Sequence, residues 1–398
     1  MLKSSKFLIV LLGALVAVGP FSIDMYLPGL PSIAKDFAAP ISSVQLTLTS
    51  FFFGIGFGQL LYGPIIDRFG RKTPLIVGLT IYILSTIGCA LSYSVGALVV
   101  FRLLQSLGAC AGMVISRAIV RDVFSPHEAA KVFSQIMLVM GIAPIVAPTV
   151  GGFLLTFTHW RVIFVVLGLI AVATLAAAWF FLEETRAPDP GISLRLKPVM
   201  EEYLEVLRTP RFYIYTLTAG FAAAVMFSYI AGSPFVFMEI YGFSKAQYGV
   251  LFGFNAAGLI LASQVNNLLL NRFESVAITK FVAFLYLPFG LLLLAAIELD
   301  LGPYPVMFLL FLLVGGFGFI IPNSSALSMA PFKQNAGSAS ALMGALQMGF
   351  GGVASAIVSL LHDGTAMPMG IVMAVCGFMA FVVPVFFRKH EHAAATTT

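Results

Sequence analysis

Charged residues are scarce in this 398-residue chain. Only 10% of its residues are Asp, Glu, Lys or Arg, against about 25% in soluble globular domains. The scarcity excludes a soluble protein, because 60% of the residues are hydrophobic and apolar runs of roughly 20 residues recur along the whole chain. The composition therefore predicts an all-α membrane protein with many spans.

Residues that hold metals, disulfides or catalytic protons are also rare. The three cysteines lie in apolar runs without metal-site spacing, so they are interpreted as small core residues. The five histidines lie at span ends, in loops or in the C-terminal segment; they are His127, His159, His362, His390 and His392. No Ser/His/Asp grouping and no phosphate-binding loop is present in the sequence. We therefore expect no enzyme activity, no cofactor and no metal.

The basic residues form no patch, although the isoelectric point is about 9.1. They are scattered through short loops, so nucleic acid is not an expected partner. Membrane orientation explains them better: with both termini cytoplasmic, only Lys35, Arg161 and Lys245 lie outside, Arg102 and Arg117 lie within spans, and the rest lie inside. This asymmetry is a strong positive-inside signal.

Twelve apolar runs have the length of a membrane-crossing helix. They lie near 7–30, 44–65, 74–93, 98–121, 131–156, 161–182, 212–238, 246–270, 277–298, 304–327, 336–361 and 367–387. The first run could pass for a secretory signal, but no small-residue cleavage site follows it, so a retained helix is predicted. Residues 1–182 form the predicted first half and 212–390 the second, and a disordered tail is predicted at 391–398.

The linker 183–211 between the halves is rich in charge. Five apolar residues within it recur at helical spacing, which predicts an amphipathic helix at the membrane interface; they are Leu196, Met200, Tyr203, Leu204 and Leu207.

The two halves resemble each other as internal repeats. Sliding the sequence along itself by 204 residues aligns Asp67-Arg68-Phe69 with Asn271-Arg272-Phe273. Parallel six-span repeats around a central cavity are typical of alternating-access transporters.

Asp24, in the run SIDMYLPGLP, is the one carboxylate placed inside an apolar span. An ionisable side chain at membrane depth is costly, so it indicates a functional site. Arg102 in span 4 lies at a similar depth, and the two residues could pair. Alternatively, Asp24 is a structural acid that holds Arg102 or the broken end of span 1 at Pro28 and Pro31. Arg102 could instead extend its charged end to the outer interface.

The loop after span 2 reads GPIIDRFGRK over residues 63–72. Its glycines permit a tight cytoplasmic turn, and Asp67 could lie against a helix N-terminus or an Arg and so latch two helices together in one conformation. Alternatively, the loop only sets the topology. Arg117 could join the latch or extend to the interface.

Span 5 carries two internal prolines and a row of small residues, which predict a kinked helix with one close-packing face. The residues of this motif are Gly141, Pro144, Pro148, Gly151 and Gly152, and the small row is Ala143, Ala147 and Gly151. Span 8 offers the complementary row Gly249, Gly253 and Ala257. Spans 2 and 11 are predicted to form a second seam from Gly54, Gly58, Ala341, Ala345 and Gly349.

The loop signature resembles that of the major facilitator superfamily. The resemblance implies a cytoplasmic latch from Asp67 toward span 11 and the cytoplasmic end of span 4. The latch residues implied are Gly63, Asp67, Arg68, Gly70, Arg71, Arg121 and Asp122. The run RLLQSLG from Arg102 also resembles a superfamily motif, with Ser106 where the family usually has Gly. Together with DMYLPGLP, the span 5 motif, Arg117–Asp122 and Ser233–Glu239, these motifs resemble the bicyclomycin-resistance (Bcr/CflA) family of drug:proton antiporters. Some related antiporters carry a second acid two turns earlier in span 1, where this chain has Leu15-Val16-Ala17. The resemblance therefore implies a mechanism with one carboxylate.

The resemblance implies proton-coupled export of drug-like molecules across the bacterial inner membrane, with Asp24 and Arg102 coupling the proton. Polar and aromatic residues of central spans are predicted to line the substrate cavity; they are Tyr26, Gln105, Ser228, Tyr229, Phe235, Asn255, Asn323 and Gln347. The expected partners are an amphiphilic or antibiotic substrate, protons and the lipid bilayer, and a monomer is expected. A nutrient symporter is the nearest alternative. This sequence lacks the catalytic clusters of a membrane enzyme, the lipid-facing polar groove of a scramblase and the continuous polar pore lining of a channel.

Overall fold

The computed structural model describes residues 6–191, 196–332 and 336–386, and the regular structure in these ranges is helical. The α-helices are α1 (Lys6–Asp24), α2 (Leu30–Asp36), α3 (Ile41–Phe69), α4 (Lys72–Ala90), α5 (Val95–Val123), α6 (Pro126–Phe157), α7 (Arg161–Phe181), α8 (Leu196–Leu207), α9 (Pro210–Pro234), α10 (Lys245–Leu269), α11 (Ser275–Glu298), α12 (Pro303–Met329), α13 (Ala336–Leu360) and α14 (Met367–Phe386). A 3₁₀ turn (Leu27–Gly29) joins α1 to α2, and a π-helical turn (Phe235–Ile240) follows α9.

Twelve helical segments in the described ranges are long and apolar enough to cross a bilayer, as the sequence predicts. The first, Lys6–Asp36, combines α1, the 3₁₀ turn and α2, and the seventh, Pro210–Ile240, combines α9 and the π-helical turn. Helices are required here because hydrocarbon offers no partner for a free backbone N–H or C=O group.

Several helices begin and end at residues suited to those positions. The Ser94 side chain accepts a hydrogen bond from the backbone N–H of Ala97 at the start of α5. At the start of α6, Ser125 and Glu128 form a capping box. Gly70 ends α3 with a φ of +82°, a conformation that costs glycine little. These signals set where the chain turns between neighbouring spans.

Unit 1 comprises the described residues up to Val199 together with Lys245–Gly253. Within it α5 packs against α1, α3 and α4, and α1 also packs against α6 and α7. At one end Asp36 accepts hydrogen bonds from Trp160 Nε1 at 3.1 Å and from Arg161 Nη1 at 2.8 Å. Arg161 Nη2 donates to the Ser92 carbonyl at 3.0 Å. The ends of α2, α4 and α7 therefore meet at one side of the unit.

Unit 2 comprises the described residues of 200–244 and those from Phe254 onward. Here α9 is central and packs against α12, α13 and α14, while α11 packs against α12 and α14. Close approach depends on small residues: a Cβ atom added at Gly220 would lie 3.0 Å from the Phe350 ring, and one at Gly232 would lie 2.8 Å from Met369. Small residues at such contacts are typical of membrane helix packing.

The predicted amphipathic helix is present as α8, Leu196–Leu207. Tyr203 is buried, whereas Met200, Leu204 and Leu207 keep between 37% and 46% of their surface exposed. The exposed apolar side chains suit a helix that lies at a membrane interface. The predicted disordered tail, 391–398, falls outside the described residues.

Candidate functional site

Asp24 is the last residue of α1, at the point where the first span breaks before Pro28. Its side chain is buried, with 5% of its surface exposed. Among the residues that the structure describes, no hydrogen bond or ion pair to this carboxylate is present within bonding distance. A buried carboxylate without a fixed counter-charge is costly when ionised, so a proton or a mobile cation is the natural means of neutralising it.

Arg102 is completely buried in unit 1, so it does not extend to the interface. Its guanidinium carbon lies 4.2 Å from the centre of the Phe51 ring and 4.6 Å from that of Tyr26. Arg102 Nη1 donates to Gln105 Oε1 at 2.7 Å, and Gln105 Nε2 donates to Thr86 Oγ1 at 2.7 Å. The charge of Arg102 is therefore stabilised mainly by cation–π attraction to these rings and not by a carboxylate.

The expected ion pair between Asp24 and Arg102 is not formed. No ion pair in the described ranges joins them within 4.0 Å, and the electrostatic neighbours of Arg102 are Tyr26, Tyr82 and Cys89. The reason is local: the guanidinium lies over aromatic rings, and one of these rings is Tyr26, two residues after Asp24. Tyr26 in turn shares a hydrogen bond of 2.9 Å with Thr47.

The predicted latch is organised around Arg71, which is 3% exposed. Its Nη1 donates to Asp67 at 2.9 Å and to the Ile66 carbonyl at 2.6 Å, and its Nε donates to Asp122 at 2.7 Å. Burial lowers the pKa of the Arg71 guanidinium, but hydrogen bonds to Asp122 and Asp67 outweigh burial, so this pKa is raised. The ends of α3 and α5 are thereby tied to one buried cation.

The sequence interpretation missed the part that the linker plays in this latch. Glu184 accepts hydrogen bonds from the backbone N–H groups of Arg71 at 2.6 Å and Lys72 at 3.0 Å, at the start of α4. Thr185 Oγ1 donates to Asp122 at 3.3 Å, and Arg186 Nη1 donates to Asp67 at 3.3 Å. The many charged residues after residue 182 were a signal that this segment forms polar contacts. Sequence spacing could not show which residues its side chains would bind.

Other predicted latch residues lie at the edge of this network. Gly70 lies directly against the Glu184 carboxylate, so a side chain there would displace the cap. Arg68 lies 5.7 Å from the Phe69 ring centre, and a Cβ atom at Gly63 would meet open space. Arg121 is exposed and forms no ion pair in the described ranges. Asp122, rather than Arg121, is therefore the residue of α5 that joins the latch.

Helix α6 is continuous from Pro126 to Phe157 and contains both Pro144 and Pro148. A Cβ atom at Gly249 would lie 2.6 Å from the Pro148 carbonyl oxygen, and Thr149 Oγ1 donates to the Gly249 carbonyl at 3.3 Å. Gly152 likewise lies against the backbone of Lys245. This close packing is part of unit 1, and it explains why Lys245–Gly253 belongs to that unit.

The prediction was wrong about which face of α6 makes this contact. Ala143, Ala147 and Gly151 were expected to face the glycines of span 8, yet Gly151 lies against the backbone of Met25. The contacting residues are instead shifted around the helix, to Pro148, Thr149 and Gly152. Two prolines alter the helical turn, so a strict four-residue spacing does not give the packing face.

The predicted role of Gly54 and Gly58 was also wrong. A Cβ atom at Gly54 would collide with Ser106 Oγ, and one at Gly58 would lie 2.9 Å from Cys110. Both glycines therefore bring α3 close to α5 inside unit 1. Ser106 replaces the glycine usual in its motif without preventing close approach, because Gly54 opposite it makes room.

The predicted cavity residues of unit 2 have varied surroundings. Asn255 Nδ2 donates to Tyr229 Oη at 2.8 Å, and Asn323 Nδ2 donates to Asn266 Oδ1 at 2.6 Å. Ser228 donates to the carbonyl of Ala224 in its own helix at 2.7 Å. Phe235 packs edge-on against His362 with ring centres 4.5 Å apart, and Gln347 Nε2 is buried without a partner among the described residues. A shared role for these side chains stays a prediction.

Within the described residues, twelve helices can cross a membrane, the first span breaks after a buried carboxylate, and charged residues form a latch. This arrangement is a polytopic helical membrane fold. Solved structures support this fold. A bacterial homolog of the human lysosomal transporter Spinster has a TM-score of 0.72, 16% identity and 98% coverage of both chains. The D-xylose-proton symporter has a TM-score of 0.73 and 16% identity, covering 96% of this chain and 97% of its own.

Sequence comparison identifies the family. The Major Facilitator Superfamily model matches residues 11–356. Relatives include an uncharacterized MFS-type transporter, YdgK, of Bacillus subtilis, 37% identical with 93% of each chain covered, and a bicyclomycin resistance protein homolog of Haemophilus influenzae, 33% identical with 98% covered. The multidrug resistance protein MdtL of Escherichia coli is 31% identical over 84% of each chain. The chain belongs to the major facilitator superfamily, and its predicted resemblance to bicyclomycin-resistance transporters is confirmed.

Proposed function

We propose that this protein exports drug-like small molecules across the bacterial inner membrane in exchange for protons, by alternating access with both termini cytoplasmic. Two relatives are named for resistance to bicyclomycin and to multiple drugs, which supports export. The distribution of Lys and Arg supports the orientation.

The observation that carries the proposal is the isolation of Asp24. Its buried carboxylate has no fixed cation, because Arg102 is held by Tyr26 and Phe51. A proton and a cationic substrate would each neutralise the charge, so the two compete for one carboxylate. Such competition gives exchange: binding of the substrate expels the proton on one side, and protonation expels the substrate on the other.

In this mechanism Arg102 acts as a positioning residue. It fixes Tyr26 and, through the short connection at residue 25, the end of α1 where Asp24 lies. Tyr26 and Gln105, which lie beside Arg102 in unit 1, are the proposed contacts for the polar part of the substrate. The latch around Arg71 would hold one conformation and break in the other.

Inverted membrane vesicles, acidified inside and containing a fluorescent pH probe, test the proposal. Ethidium and bicyclomycin are added to vesicles with the wild type, Asp24→Asn or Glu298→Gln. Glu298 is an exposed acid at the end of α11 and serves as the matched control. We expect at least one compound to dissipate the gradient with the wild type and Glu298→Gln, but not with Asp24→Asn.

Equal activity of Asp24→Asn and the wild type would show that Asp24 is not the proton carrier. Expression and thermal unfolding of each variant are measured in parallel, so that loss of the protein is not mistaken for loss of transport. If no compound dissipates the gradient but labelled sugars or amino acids enter whole cells together with protons, the nutrient-symporter alternative replaces export.

A further inference from the structure

The guanidinium of Arg102 uses one part of its hydrogen-bonding edge and leaves another part unused. Its Nη1 atom donates to Gln105 Oε1 at 2.7 Å, and Gln105 is itself fixed by donating from Nε2 to Thr86 Oγ1 at 2.7 Å. The Nε and Nη2 atoms are buried and have no hydrogen-bond partner among the described residues. Since the side chain is 0% exposed, these two donors are fixed in place and shielded from solvent.

The two unused donors lie on the same side of the guanidinium. In arginine the Nε–H group and one Nη2–H group point the same way and match the two oxygens of a carboxylate. Arg71 shows this use in the same protein: its Nε donates to Asp122 Oδ2 at 2.7 Å and its Nη2 to Asp122 Oδ1 at 3.4 Å. Its Nη1 is bonded separately, to Asp67. The side that holds a carboxylate at Arg71 therefore has none at Arg102.

Unit 1 contains a second buried charge close to this one. Asp24 lies two residues before Tyr26, whose ring centre is 4.6 Å from the Arg102 guanidinium carbon. Residues two apart in sequence have α-carbons separated by no more than about 7 Å. None of the ion pairs in the described ranges includes Asp24 or Arg102. The two opposite charges are therefore neighbours that do not neutralise each other.

Buried charges are costly unless they are paired, so each of these two requires a partner of opposite charge. A carboxylate would satisfy both unused donors of Arg102, and an amine would pair with Asp24. Tyr26, which covers the guanidinium, lies in the short break between α1 and the 3₁₀ turn. Movement of this break would uncover Arg102 without unfolding a helix.

We propose that the substrate is a small zwitterion whose carboxylate binds the Nε and Nη2 atoms of Arg102 while its amine binds Asp24. The inference rests on the proposed function, because it assigns the charges of the substrate at the same site. It also gives Arg102 a second role, as a binding residue in addition to the positioning of Tyr26.

Binding of norfloxacin and of its methyl ester to the purified protein tests this assignment. Norfloxacin is fluorescent and carries an amine and a carboxylate near neutral pH, whereas the ester keeps the amine and lacks the negative charge. We expect the wild type to bind norfloxacin about tenfold more tightly than the ester, a difference of about 1.4 kcal/mol. Asp24→Asn should weaken both compounds about tenfold and leave their ratio unchanged, because both carry the amine.

Two substitutions of Arg102 separate charge from geometry. Arg102→Met should lower the ratio of the two affinities to about one, because it removes the partner of the carboxylate. Arg102→Lys should lower the ratio to about threefold, because an ammonium supplies charge without two parallel donors. Arg208→Met, at an exposed arginine after α8, is the matched control and should bind both compounds like the wild type.

Thermal unfolding in detergent and the binding of ethidium, which has no carboxylate, show whether each variant is folded. Failure of the wild type to bind norfloxacin, or equal affinity for norfloxacin and the ester, would overturn the proposal. An unchanged ratio in Arg102→Met would do the same. The wild-type ratio keeps the proposal testable if a variant of Arg102 fails to fold.

This proposal and proton-coupled export can fail separately. If norfloxacin is preferred as expected but no compound dissipates the gradient in vesicles, the zwitterion site stands and proton exchange is wrong. If ethidium dissipates the gradient but the wild type does not distinguish norfloxacin from its ester, proton exchange stands and the zwitterion site is wrong.

Discussion

The guanidinium of Arg102 lies over two aromatic rings, with its central carbon 4.2 Å from the centre of Phe51 and 4.6 Å from that of Tyr26. Its Nε and Nη2 atoms are buried and have no hydrogen-bond partner in the described ranges. The rings therefore stabilise the charge while two of its hydrogen-bond donors have no partner. Replacing the arginine should for this reason change stability and transport differently.

Arg102→Met tests this difference. Each unpartnered N–H group costs about 1–3 kcal/mol, whereas cation–π attraction contributes about 1–2 kcal/mol. We expect the methionine variant to unfold in detergent at the same temperature as the wild type or higher, yet to lose drug–proton exchange. Unfolding is measured by the fluorescence of Trp160 and Trp179. Arg161→Met, which removes the bonds to Asp36 and Ser92, should unfold at a lower temperature.

Gly54 and Ser106 should show strong energetic coupling. Gly54→Ala places a Cβ atom against Ser106 Oγ and is expected to cost about 1–3 kcal/mol by overpacking. Ser106→Gly removes the obstacle, so the double variant should recover most of this loss, leaving only the nearby Leu103 carbonyl, 2.9 Å from the new atom. Denaturant unfolding of both single variants and the double variant measures the coupling. Strictly additive effects would contradict the packing described, and Gly96→Ala should be harmless.

Glu184 should stabilise the start of α4 although its side chain is exposed. It caps the backbone N–H groups of Arg71 and Lys72, and a lost cap costs about 0.5–2 kcal/mol. We expect Glu184→Ala to lower the unfolding temperature, with a smaller effect at high salt because the carboxylate also interacts with the helix dipole. Glu183→Ala, at the neighbouring exposed acid, is the control. Equal losses in the two variants would argue against a specific cap.

His362 should make the protein less stable in mild acid. Burial against Phe235 lowers the pKa of this imidazole below its usual 6.5, and Asp363 only partly opposes that shift. Because the unfolded chain binds the proton more readily, stability is complete above about pH 6.5 and falls as the pH drops below it.

The unfolding temperature should therefore be lower near pH 5 than near pH 8, and His362→Gln should reduce the difference. Asp363 is no confounding group in this window, because its hydrogen bond from Thr365 lowers the pKa of its carboxyl below 3.8. An unchanged pH dependence in His362→Gln would show that another group is responsible.

Much of the fold could be predicted because the relevant signals are local. The apolar runs gave all twelve spans, and the spacing of Met200, Tyr203 and Leu207 gave helix α8. The latch motif was also recognised, but its centre and its partner Glu184 were not. The backbone groups that Glu184 caps lie more than a hundred residues away in sequence, so no spacing rule connects them.

The amino-acid sequence was sufficient to predict the twelve segments that can cross the membrane, all present in the described ranges, and the one carboxylate within a span. Both follow from hydrophobicity summed over short segments and from helical periodicity. By contrast, the contacts of Arg102 with Phe51 and Tyr26 rather than Asp24, and of Gly54 with Ser106, are visible only in the packed structure. The face that a helix presents to a neighbour depends on the positions of the other helices, and packing across many residues fixes those positions.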